Sequence, residues 1–278
     1  MDHALEYVER GTDRLALHVY PDPGGPVVTV WPAMGVPARY YRRFAADLHA
    51  AGFAVVVADL RGTGDSTPPP SRSARYGYAD LAADVGAVQE ALKERLDGRR
   101  AVLLGHSLGG QACVLHLALD ESPAVDALVL VAVGLPYWRT YPGSRRYGVL
   151  PYTQGIGAVS AALGVWPGWG FGGRQARGVI RDWAYTARRG RYPAFGGVDV
   201  GAALSTVDIP VLAVSVDNDQ YTPSSTVDHL VSKLTGAPVR REHYTAAEAG
   251  APLDHFTWTR NGAPLARRIA RFTAGITP

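Results

Sequence analysis

The chain has 278 residues, 47% of them apolar, enough for a large core in one or two domains. A net charge of +3 is too small a surplus to argue for nucleic acid. The single cysteine, Cys113, excludes an internal disulfide, and no run approaches about eighteen uninterrupted apolar residues, so no membrane span is expected. Met1-Asp2-His3-Ala4-Leu5-Glu6 opens acidic with no apolar run of signal-peptide length, which sets the expectation of a cytoplasmic protein.

In chain order, Leu5 to Glu9 and Arg14 to Tyr20 read as a hairpin around Gly11-Thr12-Asp13. Val27 to Trp31 is a buried strand, Ala38 to Ala51 a helix ending at Gly52, and Phe53 to Ala58 the next strand. Tyr78 to Leu96 has helical spacing, followed by the strand Ala101 to Leu104, a helix over Gln111 to Ala118, and the strand Ala127 to Val133. Further on come a strand Val211 to Ser215, a helix Ser224 to Leu234, an edge strand Val239 to Tyr244 and a closing helix Ala263 to Ala274. Continuous apolar strands alternating with helices predict an α/β protein with a mostly parallel central sheet covered on both faces. Ligands of such sheets bind outside the carboxyl ends of the strands.

Residues 136–205 break this rhythm. They hold Trp138, Trp166, Trp169 and Trp183 of the chain's six tryptophans, and two short helices are expected there, Ile156 to Leu163 and Gln175 to Arg188. A structureless loop of that length would be unusual in a compact domain. The segment reads as an inserted cap with its own small core, leaving 1–135 and 206–278 as the core domain. Its aromatics, Trp138, Trp166 and Trp183 among them, are candidate pocket residues. Nine arginines face two acids between residues 139 and 200. The plain reading is a solvated helix face with arginine-rich usage; the sharper one is that Arg188 and Arg189 recruit an anionic, carrier-linked or coenzyme A-linked acyl substrate.

The chemistry centres on Gly105-His106-Ser107-Leu108-Gly109, which is Gly-x-Ser-x-Gly between a strand and a helix. That pattern lifts a serine hydroxyl off the end of a sheet with a helix N-terminus behind it. The hydroxyl needs a base, and the base a carboxylate. His255 in Pro252-Leu-Asp-His-Phe256 sits in a loop ahead of the last helix, from which an imidazole can reach over the sheet. Asp217 and Asp219 directly follow a buried strand; Asp219 is preferred because the chain turns at Thr222-Pro223 just beyond it. The predicted triad is Ser107, Asp219 and His255. Its oxyanion donors are the amides of Leu108 and of Met34, in the small-residue turn Pro32-Ala-Met-Gly35.

On these motifs, together with Asp59-Leu-Arg-Gly-Thr-Gly-Asp-Ser66, the chain resembles α/β-hydrolases of the serine aminopeptidase-like and monoacylglycerol lipase-like branch. Relatives usually carry His-Gly where this chain has Pro32-Ala33, a change that leaves backbone donors intact. The resemblance implies the α/β-hydrolase fold with an inserted helical cap. It also implies a serine esterase or thioesterase acting on a small-molecule acyl substrate through an acyl-serine. Acyl transfer or cyclisation would use the same triad, and a non-enzymatic ligand-binding relative would not need it. Arg61 and Asp65 are expected to be structural. No metal constellation or dinucleotide fingerprint occurs, so no cofactor is expected.

Overall fold

Valine-rich strands buried along their whole length build the centre of the molecule. The structure is a computed structural model and describes residues 1–276. Its elements run β1 (Ala4–Arg10), β2 (Asp13–Val19), β3 (Val27–Trp31), α1 (Arg42–Ala50), β4 (Ala54–Ala58), α2 (Tyr78–Ala91) and α3 (Lys93–Leu96). They continue with β5 (Ala101–His106), α4 (Leu108–Leu119), β6 (Ala127–Val131), α5 (Arg145–Leu163), β7 (Val165–Trp166), β8 (Gln175–Ala176) and α6 (Arg177–Arg189). The last are α7 (Val200–Ser205), β9 (Val211–Val216), α8 (Ser224–Val231), β10 (Val239–Tyr244), α9 (Ala246–Ala249) and α10 (Ala263–Ala274).

The eight-stranded sheet has the order β1-β2-β4-β3-β5-β6-β9-β10. β1 and β2 form the predicted hairpin, β2 is antiparallel to β4, and every later neighbour is parallel. Alternate side chains enter two separate cores. Val28, Val57, Leu104 and Val214 pack against α1 and α10, whereas Leu103, Leu128, Leu130 and Ala213 pack with α2, α4 and α8. This is the two-sided coverage that continuous apolar strands require.

Three local expectations change. The helix over Ala38 to Ala51 begins as a tight 3-10 turn, Ala38–Tyr41, whose first amide is held by Asp59 Oδ1 at 2.6 Å and which turns Tyr41 fully inward. The helix over Tyr78 to Leu96 divides at buried Leu92. Between residues 136 and 205, α5 starts at Arg145, well before Ile156, and runs on through Pro151; packing of α5 on α6 outweighs local propensity.

Most of the buried apolar side chains of residues 136–205 share the main core. Ile156, Trp166, Ile180 and Trp183 belong to the same buried cluster as the residues of α2 and α4, and α7 adds Val200 and Leu204 to it. Asp182 on α6 is buried and accepts a hydrogen bond from the Tyr78 amide at 3.0 Å, so α6 closes the open end of α2. Arg61 is structural as expected, joining Asp84 and Asp13. No helix among the described residues is long and apolar enough to cross a membrane.

Burial holds the imidazoles of His106 and His116 below the ordinary histidine range. Below about pH 6.5 the unfolded chain therefore binds protons that the folded chain refuses, and stability falls with falling pH. Urea midpoints should drop between pH 7.5 and pH 5. His106→Gln should lower the midpoint at pH 7.5 yet flatten that acid slope; an unchanged slope in the variant would contradict this origin.

Candidate active site

Ser107 occupies the junction of β5 and α4 with φ 51° and ψ −119°, a conformation an L-residue adopts only under constraint. The constraint is close packing. A Cβ on Gly105 would lie 2.1 Å from Gly110 Cα, and one on Gly109 2.2 Å from the Trp31 carbonyl oxygen. Glycine at both flanks lets β3, β5 and α4 converge tightly enough to present the serine. The side chain of Ser107 faces a cavity of about 450 Å³ that His255, Met34 and Leu108 also line.

The loop after β9 carries Asp219 to His255. Asp219 Oδ2 is 2.8 Å from His255 Nδ1, and its side chain is fully buried. The other oxygen, Oδ1, accepts the amides of Tyr221 and Thr222, both at 2.8 Å, and the Thr222 hydroxyl donates to Oδ2 at 2.5 Å. Burial pushes the carboxyl up, but His255 and the Thr222 donors outweigh it and hold Asp219 below the usual carboxylate range. A buried carboxylate that stays ionised fixes the imidazole with a proton on Nδ1 and leaves Nε2 as acceptor. Asp217 points elsewhere: its oxygens take His243 Nε2 at 2.8 Å and the Ala246 amide at 2.7 Å.

His106, which sequence alone marks only as the residue before the serine, is completely buried beneath His255, ring centroids 4.8 Å apart. Its Nδ1 is 2.6 Å from Tyr41 Oη, and its Nε2 is 3.5 Å from Trp258 Nε1. Tyr41 Oη accepts the Ala33 amide at 2.9 Å. Ala33 is thus occupied and the Val36 amide is taken by the Ala33 carbonyl, whereas the Met34 amide has no partner among the described residues. The Leu108 amide is the first of α4 and has no carbonyl within the helix to bond. Met34 and Leu108, which line the cavity with Ser107, thus each keep an amide without a partner among the described residues.

The remaining pocket candidates divide. Trp183 lines the cavity, stacked on Phe171 with centroids 4.7 Å apart. Trp166 does not line it; it is buried behind the glycine-rich loop 168–173, donating from Nε1 to the Phe171 carbonyl at 2.9 Å. Trp138 also stands outside, on a 3-10 turn with Arg139 over its ring at 5.0 Å. Arg188 and Arg189 sit about 140° and 120° around α6 from Trp183, too far to share its face. Arg188 lines a separate groove between α5 and α6 with Arg75, Arg177 and Arg181. Tyr78, Gln111 and Phe171, which the motifs do not mark, line the cavity instead. The roof meets the floor where Gly35 faces the loop: a Cβ there would be 2.2 Å from the Gly172 carbonyl oxygen. A second lobe of about 560 Å³, lined by Arg145, Tyr152, Asn218 and Asp254, opens past Tyr221 and His255.

A family model described as alpha/beta hydrolase fold matches residues 26–148. RutD of Variovorax paradoxus, provisionally named as a carbamate hydrolase, is 38% identical over 107 residues, 38% of each chain. A non-heme chloroperoxidase of Streptomyces lividans is 30% identical over 190 residues, covering 62% of this chain and 66% of that one. The match thus spans between about four tenths and two thirds of these relatives. The solved structure of an esterase from Rhodococcus sp. ECU1013 superposes over 100% of both chains with a TM-score of 0.62 at 20% identity, a likeness of fold.

If Asp219 serves His255, Asp219→Asn should cut kcat on an ester substrate by roughly 10³–10⁴. Asp217→Asn should stay within about threefold of the parent. Steady-state kinetics of both folded variants decide it, and the reverse order would move the role to Asp217.

Proposed function

Because the chain is a member of the α/β-hydrolase superfamily, we propose that it is a serine hydrolase that cleaves a small ester or thioester through an acyl-Ser107 intermediate. The observation that supports this most is the ionised, buried Asp219 on Nδ1 of His255, with Ser107 lining the same cavity. His255 Nε2 takes the Ser107 proton as Oγ attacks the acyl carbon. Negative charge develops on the former carbonyl oxygen, which the amides of Met34 and Leu108 stabilise. The imidazolium then protonates the leaving group, and water repeats the sequence to release the acid. Asp219 stays ionised throughout and stabilises the imidazolium.

A cavity of about 450 Å³ suits a small acyl group. The cap arginines support no anionic acyl subsite within it, since Arg188 belongs to another groove and only Arg145 stands at the outer lobe. Acyl transfer or cyclisation would differ only in what attacks the acyl-enzyme, and product analysis with an added alcohol separates it from hydrolysis.

A series of nitrophenyl esters of graded acyl length tests the reading. The parent should turn over the short members, and a fluorophosphonate should label it. Ser107→Ala should lose at least about 10³ in kcat/KM with an unchanged melting temperature. A variant keeping more than about a tenth of the parent rate would overturn the assignment.

A further inference from the structure

Asp219 is held by more than its own loop. The 3-10 turn Trp138–Thr140, between β6 and α5, is seated on the start of α8. There the Ser225 hydroxyl donates to the Thr140 carbonyl at 2.5 Å and the Leu135 amide to the Thr226 carbonyl at 3.1 Å. α8 follows directly on the loop that carries Asp219. From the end of the turn, buried Tyr141 reaches that loop, and its hydroxyl donates to the Tyr221 carbonyl at 2.7 Å. Arg145, at the start of α5, donates to Gln220 Oε1 at 3.1 Å.

A peptide bond is planar and trans, so the Tyr221 carbonyl and the Thr222 amide are two ends of one rigid unit. The Thr222 amide donates to Asp219 Oδ1 at 2.8 Å. Tyr141 and Asp219 thus hold the same peptide from opposite sides, and turning it away from one turns it away from the other. A hydroxyl on the carbonyl also polarises the peptide and strengthens its N–H as a donor. Both residues that flank the peptide hold the carboxylate as well. Tyr221 does so through its amide on Oδ1 at 2.8 Å, and Thr222 through its hydroxyl on Oδ2 at 2.5 Å, the oxygen that meets His255 Nδ1. Burial and the nearby Asp219 charge hold the Tyr141 phenol far above its ordinary range, so it stays a neutral donor. Tyr141 also lines the cavity, but its one O–H is committed to the Tyr221 carbonyl.

Resting on the acyl-serine reading above, we propose that Tyr141 is a positioning residue: it locks the Tyr221–Thr222 peptide and, through that peptide, holds Asp219 on His255.

Tyr141→Phe keeps the ring and deletes only the hydroxyl. On a short nitrophenyl ester its kcat should fall about tenfold or more while KM stays within about twofold. Tyr192→Phe deletes another buried hydroxyl, one with no partner among the described residues, and should leave both constants within about twofold. In the Asp219→Asn background, Tyr141→Phe should cost less than about a further twofold, because the two act through one contact. The full loss reappearing in that background would show that Tyr141 acts on substrate directly and overturn the proposal. A second readout needs no turnover. In protein carrying isotope-labelled histidine, the NMR shifts of the His255 ring nitrogens, assigned by their loss in His255→Ala, report how firmly the proton is held on Nδ1. They should move in Tyr141→Phe and not in Tyr192→Phe, with melting temperatures showing that both fold. Unchanged shifts in folded Tyr141→Phe overturn the proposal whatever the rate. If the shifts move but the parent turns over no ester and resists the fluorophosphonate, the positioning role stands and the hydrolase reading falls.

Discussion

One chain of contacts underlies the site: the Ala33 amide donates to the Tyr41 hydroxyl, Tyr41 is hydrogen-bonded to His106, and the His106 ring packs 4.8 Å from that of His255. It links the turn that holds Met34, the strand end that presents Ser107 and the loop that carries His255. All its members lie in the apolar layer beneath the strand ends, where Phe44 and Trp258 exclude water. In such surroundings a hydrogen bond is strong and an unpaired group costly, so the three loops are held in one register. The backbone strain at Ser107 persists because β3, β5 and α4 are packed too closely to relax it.

The same chain settles the charges. His106 and His255 face each other at 4.8 Å, and two imidazolium ions at that distance would repel. Burial and the nearness of His255 keep His106 neutral. The opposite is arranged at Asp219, where three donors beside the imidazole maintain a buried negative charge. A proton arriving on His255 would therefore meet one anion and no competing cation, the condition a general base requires.

The parts written in local pattern were legible in the sequence. Apolar runs gave the strands and their parallel order, and the glycines around Ser107 announced a turn that only they can make. Asp219 could be preferred over Asp217 because Thr222-Pro223 marks the turn whose amides and hydroxyl now bind it. His106 was visible as a residue but not as a link, since its partners Tyr41 and His255 lie 65 and 149 positions away and no periodicity connects them. Residues 136–205 were harder still. Their helices pack through non-local contacts that override Pro151, and Trp166 and Trp183 join the main core while Trp169 is exposed. Composition counted the arginines without saying which side of α6 they occupy, and nothing local marked Tyr78 and Gln111 as cavity walls.

Intact-mass spectrometry of protein quenched during turnover of a short nitrophenyl ester, followed by peptide mapping, tests the central claim directly. The account predicts a single acyl adduct on Ser107 that disappears as substrate is exhausted. Turnover with the adduct on another residue, or with sustained turnover and no adduct even after rapid quenching, would contradict it.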